Sequence, residues 1–400
     1  MKILIITTRI PYPPNRGDKL RIFNIIKTLL KDHEIKVVSF FHEKTEFEYA
    51  EQLKKFGIDF EKVELSRFKS TLNLFRTIFS IKPFQVSYYQ YKSMHKKISE
   101  LITNKKYDVV YFHSLIMAQY HSSISYTDVI KVLDQTDATS LYLSRYLKFL
   151  VNPLKRIYFE FDLRKTKKYE HILKNFDTVF VCSETDKQYL HNKINNANIQ
   201  LFMNGFDSQT FKYEKRKPEK DRIIFTGNMP YFPNQDAMVY FIKEIFPLIL
   251  DKRPTVMLYI VGNNPTTEIK KLQSQNVIIT GYVNDIREEY LKSAVNIAPI
   301  RFGTGTPNKV IEALALGIPT VATGLSINGF PEELQKYFFV ADTPKSFADA
   351  VLDLLNNEHS KDIIMDEAVE TINRVLSIDN VVKNAFNYLY ERLLIQRQTK

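Results

Sequence analysis

The chain has 400 residues, 44% of them hydrophobic, 13% aromatic and 25% charged, with a net charge of +11. That length exceeds one ordinary core and fits two domains, and the composition excludes intrinsic disorder. No stretch approaches the roughly 18–20 apolar residues of a membrane-spanning helix, and a single cysteine excludes an internal disulfide.

The first ten residues, MKILIITTRI, carry one Lys before an apolar run and no small-residue cleavage site, so they read as a first strand and not as a signal peptide. From there, short apolar runs alternate with amphipathic stretches, the pattern of parallel α/β domains. Strands are predicted at 3–7, 35–41, 60–65, 109–112, 129–133, 178–182 and 200–203 in the first half. In the second half they fall at 223–226, 256–261, 277–280, 295–299, 320–322 and 337–340. Helices are predicted at 20–31, 154–174, 235–246, 285–293 and 307–316, with two more at 363–376 and 380–396. Two such series in succession predict two Rossmann-like lobes with parallel sheets. The charged, proline-containing run 208–221 separates lobes at 1–207 and 222–375, and 376–400 is a terminal helix.

Several loops between these elements carry polar residues suited to chemistry. The first, 8–19, is stiffened by three prolines and holds Arg16, Gly17, Asp18 and Lys19. Gly17 permits close backbone approach and Asp18 can cap the next helix, so the loop fits either a rigid turn or a ligand contact. His113 ends the run Asp108-Val-Val-Tyr-Phe-His113, where a parallel strand could aim the imidazole into a crevice. Asp134 and Asp137 follow another strand, and could bind a substrate's hydroxyls, serve as acid/base groups, or simply cap and turn the chain. Cys182 lies in an apolar run and reads as a buried strand residue.

The longest signal is residues 299–323, PIRFGTGTPNKVIEALALGIPTVAT. A strand runs into a loop with Arg301, Gly303, Thr304, Gly305 and Thr306. Thr306 is placed to cap, and Pro307 to open, a helix that Gly317 closes. A strand, a close-approach loop and a helix N-terminus meeting at one point suit a phosphate. Lys309 and Glu312 share a helix face, as an ordinary surface pair or as a cation for phosphate beside a carboxylate for hydroxyls.

All of the excess positive charge lies in residues 1–200, which hold 33 Lys and Arg against 21 Asp and Glu; residues 201–400 hold 23 against 24. Segments 62–97 and 155–174 interleave these cations with Leu, Ile and Phe. Such a mixture suits an anionic membrane surface or an ordinary solvated face. Nucleic acid is the competing reading of a basic patch, and no RNP, KH or helix-turn-helix signature supports it.

The string G-x-G-T-x-x-K-x-x-E-A-x-A-x-G-x-P, carried by Gly303, Gly305, Thr306, Lys309, Glu312, Ala313, Ala315, Gly317 and Pro319, resembles the donor-site segment of the group 1 (family 4) glycosyltransferases. The string P-P-N-R-G-D-K-x-R at 13–21 is similar to a subgroup found with bacterial exopolysaccharide and exosortase systems, and Asn204-Gly205-Phe206-Asp207 resembles the turn that ends the first lobe. The resemblance implies a GT-B fold with an interlobe cleft and a final helix that crosses back to the first lobe. It implies a metal-independent, retaining transfer of sugar from a UDP- or GDP-sugar to a lipid-linked or polysaccharide acceptor, with no cofactor. His113, Lys309 and Glu312 are the expected catalytic set. The expected donor contacts are Arg16, Gly17, Gly227, Asn228, Arg301, 303–306 and again Lys309 and Glu312, and the expected acceptor contacts are Lys19, Asp134 and Asp137. The single cysteine suits a cytoplasmic protein, and the basic first half suits a peripheral place on the inner membrane face.

Two departures accompany it. The family's first motif glutamate is Thr304 here, and its upstream Gly-Arg is Gly227-Asn228. They leave two other readings open, a GT-B sugar-nucleotide epimerase and a catalytically silent scaffold that binds sugar or nucleotide.

Overall fold

The computed structural model describes residues 1–42, 46–124, 126, 128–356 and 362–398. The chain divides into two compact units, one formed by Met1–Met203 with Val381–Lys400 and the other by Asn204–Asn380.

The first unit is built on a seven-stranded parallel sheet: β1 (Lys2–Thr7), β2 (Glu34–Phe41), β3 (Asp59–Glu64), β4 (Val109–His113), β5 (Ile130–Thr136), β6 (Thr178–Val181) and β7 (Ile199–Leu201). Its order is β3-β2-β1-β4-β5-β6-β7, so the direction of winding reverses between β1 and β4. The central strands β1 and β4 are nearly continuous apolar runs, buried along almost their whole length because helices cover both faces, whereas the edge strand β3 is largely polar. Val381, Val382, Phe386 and Leu389 of the last helix, Ile378–Gln398, are buried, and Phe386 stacks on Tyr111 with ring centroids 6.1 Å apart. Arg397 and Tyr388 tie the same helix to Asp108 and Asn198.

The second unit repeats the plan with six strands: β8 (Arg222–Thr226), β9 (Met257–Val261), β10 (Val277–Gly281), β11 (Val295–Ala298), β12 (Thr320–Ala322) and β13 (Phe339–Val340). The order β10-β9-β8-β11-β12-β13 reverses between β8 and β11. Ligands of such sheets bind outside the carboxyl ends of the strands where the order reverses. Each unit therefore presents one such point, at the ends of β1 and β4 and at the ends of β8 and β11. Each unit is a doubly wound, Rossmann-like lobe.

Two local differences from the sequence reading have physical causes. The predicted helix 235–246 is an α-helix (Phe232–Tyr240), one π turn (Phe241–Ile245) and a second helix (Phe246–Lys252), because Pro247 cannot donate to the ladder. The charged run expected as a linker at 208–221 is instead fastened within the second unit. Arg216 donates to Ser293 O at 2.6 Å, Glu214 pairs with Arg287 at 2.8 Å, and Tyr213 donates to Asp366 at 2.6 Å. Among the described residues no helix is long and apolar enough to cross a membrane.

Candidate functional site

In the second unit the loop after β11 and the helix Asn308–Ala315 form the centre of the site. Gly303 and Gly305 hold φ values of +149° and +73°, which side chains rarely tolerate, so both glycines are conformational requirements. Pro307, and not Thr306, takes the N-cap position, with no side-chain cap. Gly317 closes the helix at φ +67°, in the left-handed region as expected. Thr304 Oγ1 and Thr306 Oγ1 are buried and have no hydrogen-bond partner among the described residues. Two unsatisfied hydroxyls beside a helix N-terminus are an exception to the rule that buried polar groups pair, and a ligand's oxygens would satisfy them.

Lys309 is not the surface cation that its sequence neighbourhood allowed. Its Nζ is buried, donates to Asn234 Oδ1 at 2.7 Å and lies 3.6 Å from the Phe225 ring centroid. Burial pushes its amine from 10.5 down to about 7, against a smaller opposing pull from Glu312. Glu312 is half-buried, and burial raises its carboxyl from 4.5 to about 7, while Tyr290 and Lys309 partly offset the rise. The pair is thus poised to change charge when an anion or a hydroxyl arrives. Tyr290, which the sequence reading missed, orients the carboxylate: its hydroxyl lies 3.1 Å from Glu312 Oε2 and 2.6 Å from Thr226 Oγ1.

Glycines bring the ends of β8 and β9 against this helix. A Cβ on Gly262 would lie 1.8 Å from Gly227 O, and one on Gly227 would lie 2.6 Å from Asn234 Nδ2. Asn234 in turn donates to Asn228 O at 2.9 Å. Asn228 thus acts through its backbone, and Asn234 links the Gly227 loop to Lys309. Arg301 differs from expectation as a phosphate-clamping cation. Its guanidinium is held by Asp236, with Nε 2.9 Å from Oδ2, and packs over Tyr240.

In the first unit, His113 ends β4 and is buried, with Nδ1 3.2 Å from Asp134 Oδ2. Asp134 is also fully buried and receives both Nε and Nη2 of Arg21, at 2.9 and 3.0 Å. Against the effect of burial, Arg21 and then His113 hold its carboxyl well below the usual carboxylate range. Asp134 is therefore an ionised structural anchor that orients the imidazole, which corrects its expected contact with acceptor hydroxyls. Arg21 is held on its other side by the carbonyls of Phe202 and Met203 at 2.8 and 3.2 Å. It is the final residue of the 13–21 string, to which sequence reasoning gave no role.

The expected acceptor residue Asp137 faces Cys182 Sγ at 3.3 Å. Burial, and then neighbouring Asp186, raise its carboxyl to about 7. The loop after β1 places Arg16, Asp18 and Lys19 at the first turn of the helix Gly17–Leu29. Asp18 does not cap that helix; it pairs with Arg16 at 3.1 Å, and Arg16, His113 and Arg9 hold it ionised against the effect of burial. Burial lowers the Lys19 amine. A Cβ on Gly17 would meet nothing within 4 Å, so its smallness answers no internal contact.

Residues 220–357 match the family model described as "Glycosyl transferases group 1". The second unit thus matches a group 1 glycosyl transferase model, and the chain as a whole has the GT-B fold. Over 376 residues it is 22% identical to a Klebsiella pneumoniae protein described as an uncharacterized 44.6 kDa protein in the cps region, covering 89% of this chain and 91% of that one. The fold of Anabaena HepE, solved in complex with UDP, is similar with a TM-score of 0.68 at 13% identity, covering 98% of this chain and all of that one. S. aureus TarM, solved with UDP and saccharide ligands, aligns with a TM-score of 0.67 at 13% identity, covering 97% and 100% of the two chains.

Proposed function

We propose that the chain is a glycosyltransferase that moves a sugar from a UDP- or GDP-sugar to a lipid-linked or polysaccharide acceptor in cell-surface polysaccharide assembly, with retention of configuration. The observation that carries the reading is the buried, partly discharged Lys309 beside two unpartnered threonine hydroxyls at one helix N-terminus. A nucleoside diphosphate would supply the negative charge and the acceptor atoms that this cluster lacks. Lys309, the helix dipole and the hydroxyls of Thr304 and Thr306 would stabilise charge developing on the leaving diphosphate. Glu312, held by Tyr290, would accept from the ribose hydroxyls. Thr304 would replace the carboxylate that the family places on the donor sugar. His113, fixed by Asp134 and Arg21, would meet the sugar, and Arg16 and Lys19 would serve the acceptor side. The relatives solved with UDP and the relative from a cps region agree with this assignment.

The test is a calorimetric screen of UDP, GDP, ADP and CMP against the wild type, Lys309→Ala and Glu312→Ala. One uridine or guanosine nucleotide should bind the wild type and bind both variants more weakly. No binding by any nucleotide, or equal binding by both variants, overturns the assignment. Incubation with donor alone separates transfer from epimerisation, since only an epimerase converts the sugar without an acceptor. The epimerase reading is weakened by Asp134, whose carboxylate is buried and fully engaged.

A further inference from the structure

Two helices of the first unit are turned the wrong way round for a soluble protein. The helix Arg67–Thr77 buries Ser70 and Thr77 and points Phe68, Leu72 and Phe75 outward, a stripe that Phe79 continues. These positions are four, three and four residues apart, one face of a helix. Phe68 is 80% exposed and Phe79 93%. The helix Pro153–Tyr169 repeats the inversion: Asp162, Lys165 and Thr166 are buried, while Leu154 and Ile157 face solvent, Leu154 at 78% exposure. Val151, just before it, is 94% exposed. Polar residues inside and aromatic or branched residues outside reverse the usual amphipathic pattern, and so large an exposed apolar face marks an interaction surface.

The two helices share this face because their buried polar residues fasten them together. Lys165 Nζ donates to Thr77 O at 2.7 Å and to Ser80 O. Asp162 Oδ1 accepts from Phe84 N at 2.9 Å, and Phe84 stacks on Tyr158 with centroids 4.7 Å apart. The polar groups that would normally face water are thus used to join the helices, which leaves their apolar sides exposed.

Charge decides what covers the face. Residues 65–99 contain no Asp or Glu and seven Lys or Arg, and residues 138–159 contain no acid and four Lys or Arg. Of the two acids in the helix Pro153–Tyr169, Glu160 is paired with Arg156 at 3.1 Å and Asp162 is buried, accepting from Phe84 N, so neither adds unpaired negative charge to the face. A second copy docking here through a two-fold axis would set cation against cation. An anionic bilayer complements both features, taking the Phe and Leu side chains among its acyl chains and the Lys and Arg side chains among its headgroups.

We propose that the face formed by the helices Arg67–Thr77 and Pro153–Tyr169 docks the first unit on an anionic membrane surface, with Phe79 and Val151 among the inserted side chains. The proposal rests on the glycosyl-transfer reading only for its purpose, which is to bring the protein to a lipid-linked acceptor. The test is co-sedimentation of the full chain with vesicles of phosphatidylcholine alone or mixed with phosphatidylglycerol, without donor or acceptor. The wild type should sediment with the anionic vesicles and be released as salt rises. Phe79→Asp/Val151→Asp should lower the bound-to-free ratio by about tenfold or more. Both positions are exposed, so the melting temperature should hold, and Lys69→Glu/Lys155→Glu should weaken binding on anionic vesicles only. Equal binding of wild type and Phe79→Asp/Val151→Asp overturns the proposal, as does failure to prefer anionic vesicles. A solution dimer that the same variant dissociates, with no vesicle binding, would assign the face to a second copy and overturn it as well. Nucleotide binding is measured without vesicles, so failure of this proposal and failure of the donor-site reading are separate results.

Discussion

Burial of Lys309 predicts that nucleotide binding takes up a proton. In the free protein its amine titrates at about 7, against 10.5 in an unfolded chain. At pH 8.5 about 3% of free molecules would carry the charge. A diphosphate against Nζ restores the charged form, so binding at pH 8.5 should take up close to one proton. Glu312, also at about 7, is already ionised at that pH, and a terminal phosphate with a pKa of about 6 has lost its proton. The assay is calorimetric titration of UDP or GDP at pH 8.5 in buffers of different ionisation enthalpy, with proton uptake read from the slope. The same linkage should weaken binding about tenfold per pH unit between roughly 7 and 10. Lys309→Met should abolish the uptake and weaken binding by about 10- to 100-fold, the range for a lost charge-assisted hydrogen bond. Tight binding by the wild type with no proton uptake, or the same uptake in Lys309→Met, would refute the reasoning.

The stability of the free protein should carry the same signature. Between pH 7 and 10.5 the unfolded chain binds the extra Lys309 proton, so stability rises with pH; between 4.5 and 7 the folded chain binds the extra Glu312 proton, so stability falls as pH rises. Glu312→Gln should flatten the acid limb in denaturant titrations and raise stability above pH 7, while weakening nucleotide binding; an unchanged acid limb would contradict the raised carboxyl. Thr306→Val removes a buried, unpartnered hydroxyl, so it should keep or raise the melting temperature while lowering nucleotide affinity. A variant that melts earlier and binds normally would show that the hydroxyl has a structural partner. Arg21→Met leaves Asp134 charged, buried and without its main partner, and should cost about 3–5 kcal/mol in chemical denaturation. A cost below about 1 kcal/mol would mean that the pair is not buried as described.

Much of the fold was legible locally. The thirteen predicted strands correspond to β1–β13 within a few residues, because a doubly covered parallel strand is a short apolar run bounded by polar loops. The glycine positions after β11 were legible for the same kind of reason, since a left-handed φ selects glycine from the backbone alone. The attachment of the run 208–221 was not. The run 208–221 has the composition of a linker, yet Arg216, Glu214 and Tyr213 each find partners more than 70 residues away in sequence.

The sequence by itself determined the alternation of strands and helices, the loops at the strand ends and the places of Lys309, Glu312 and His113 within those elements. Each of these depends on neighbours within a few positions, where backbone geometry and side-chain periodicity act. Only the tertiary structure decided the charge states of Lys309 and Glu312 and the company all three keep. It buried Lys309 against Phe225 and Asn234, paired Arg21 with an aspartate 113 residues away, and turned the apolar sides of two helices outward. Desolvation and charge pairing depend on what surrounds a group in space, and a residue's neighbours in sequence do not specify those surroundings.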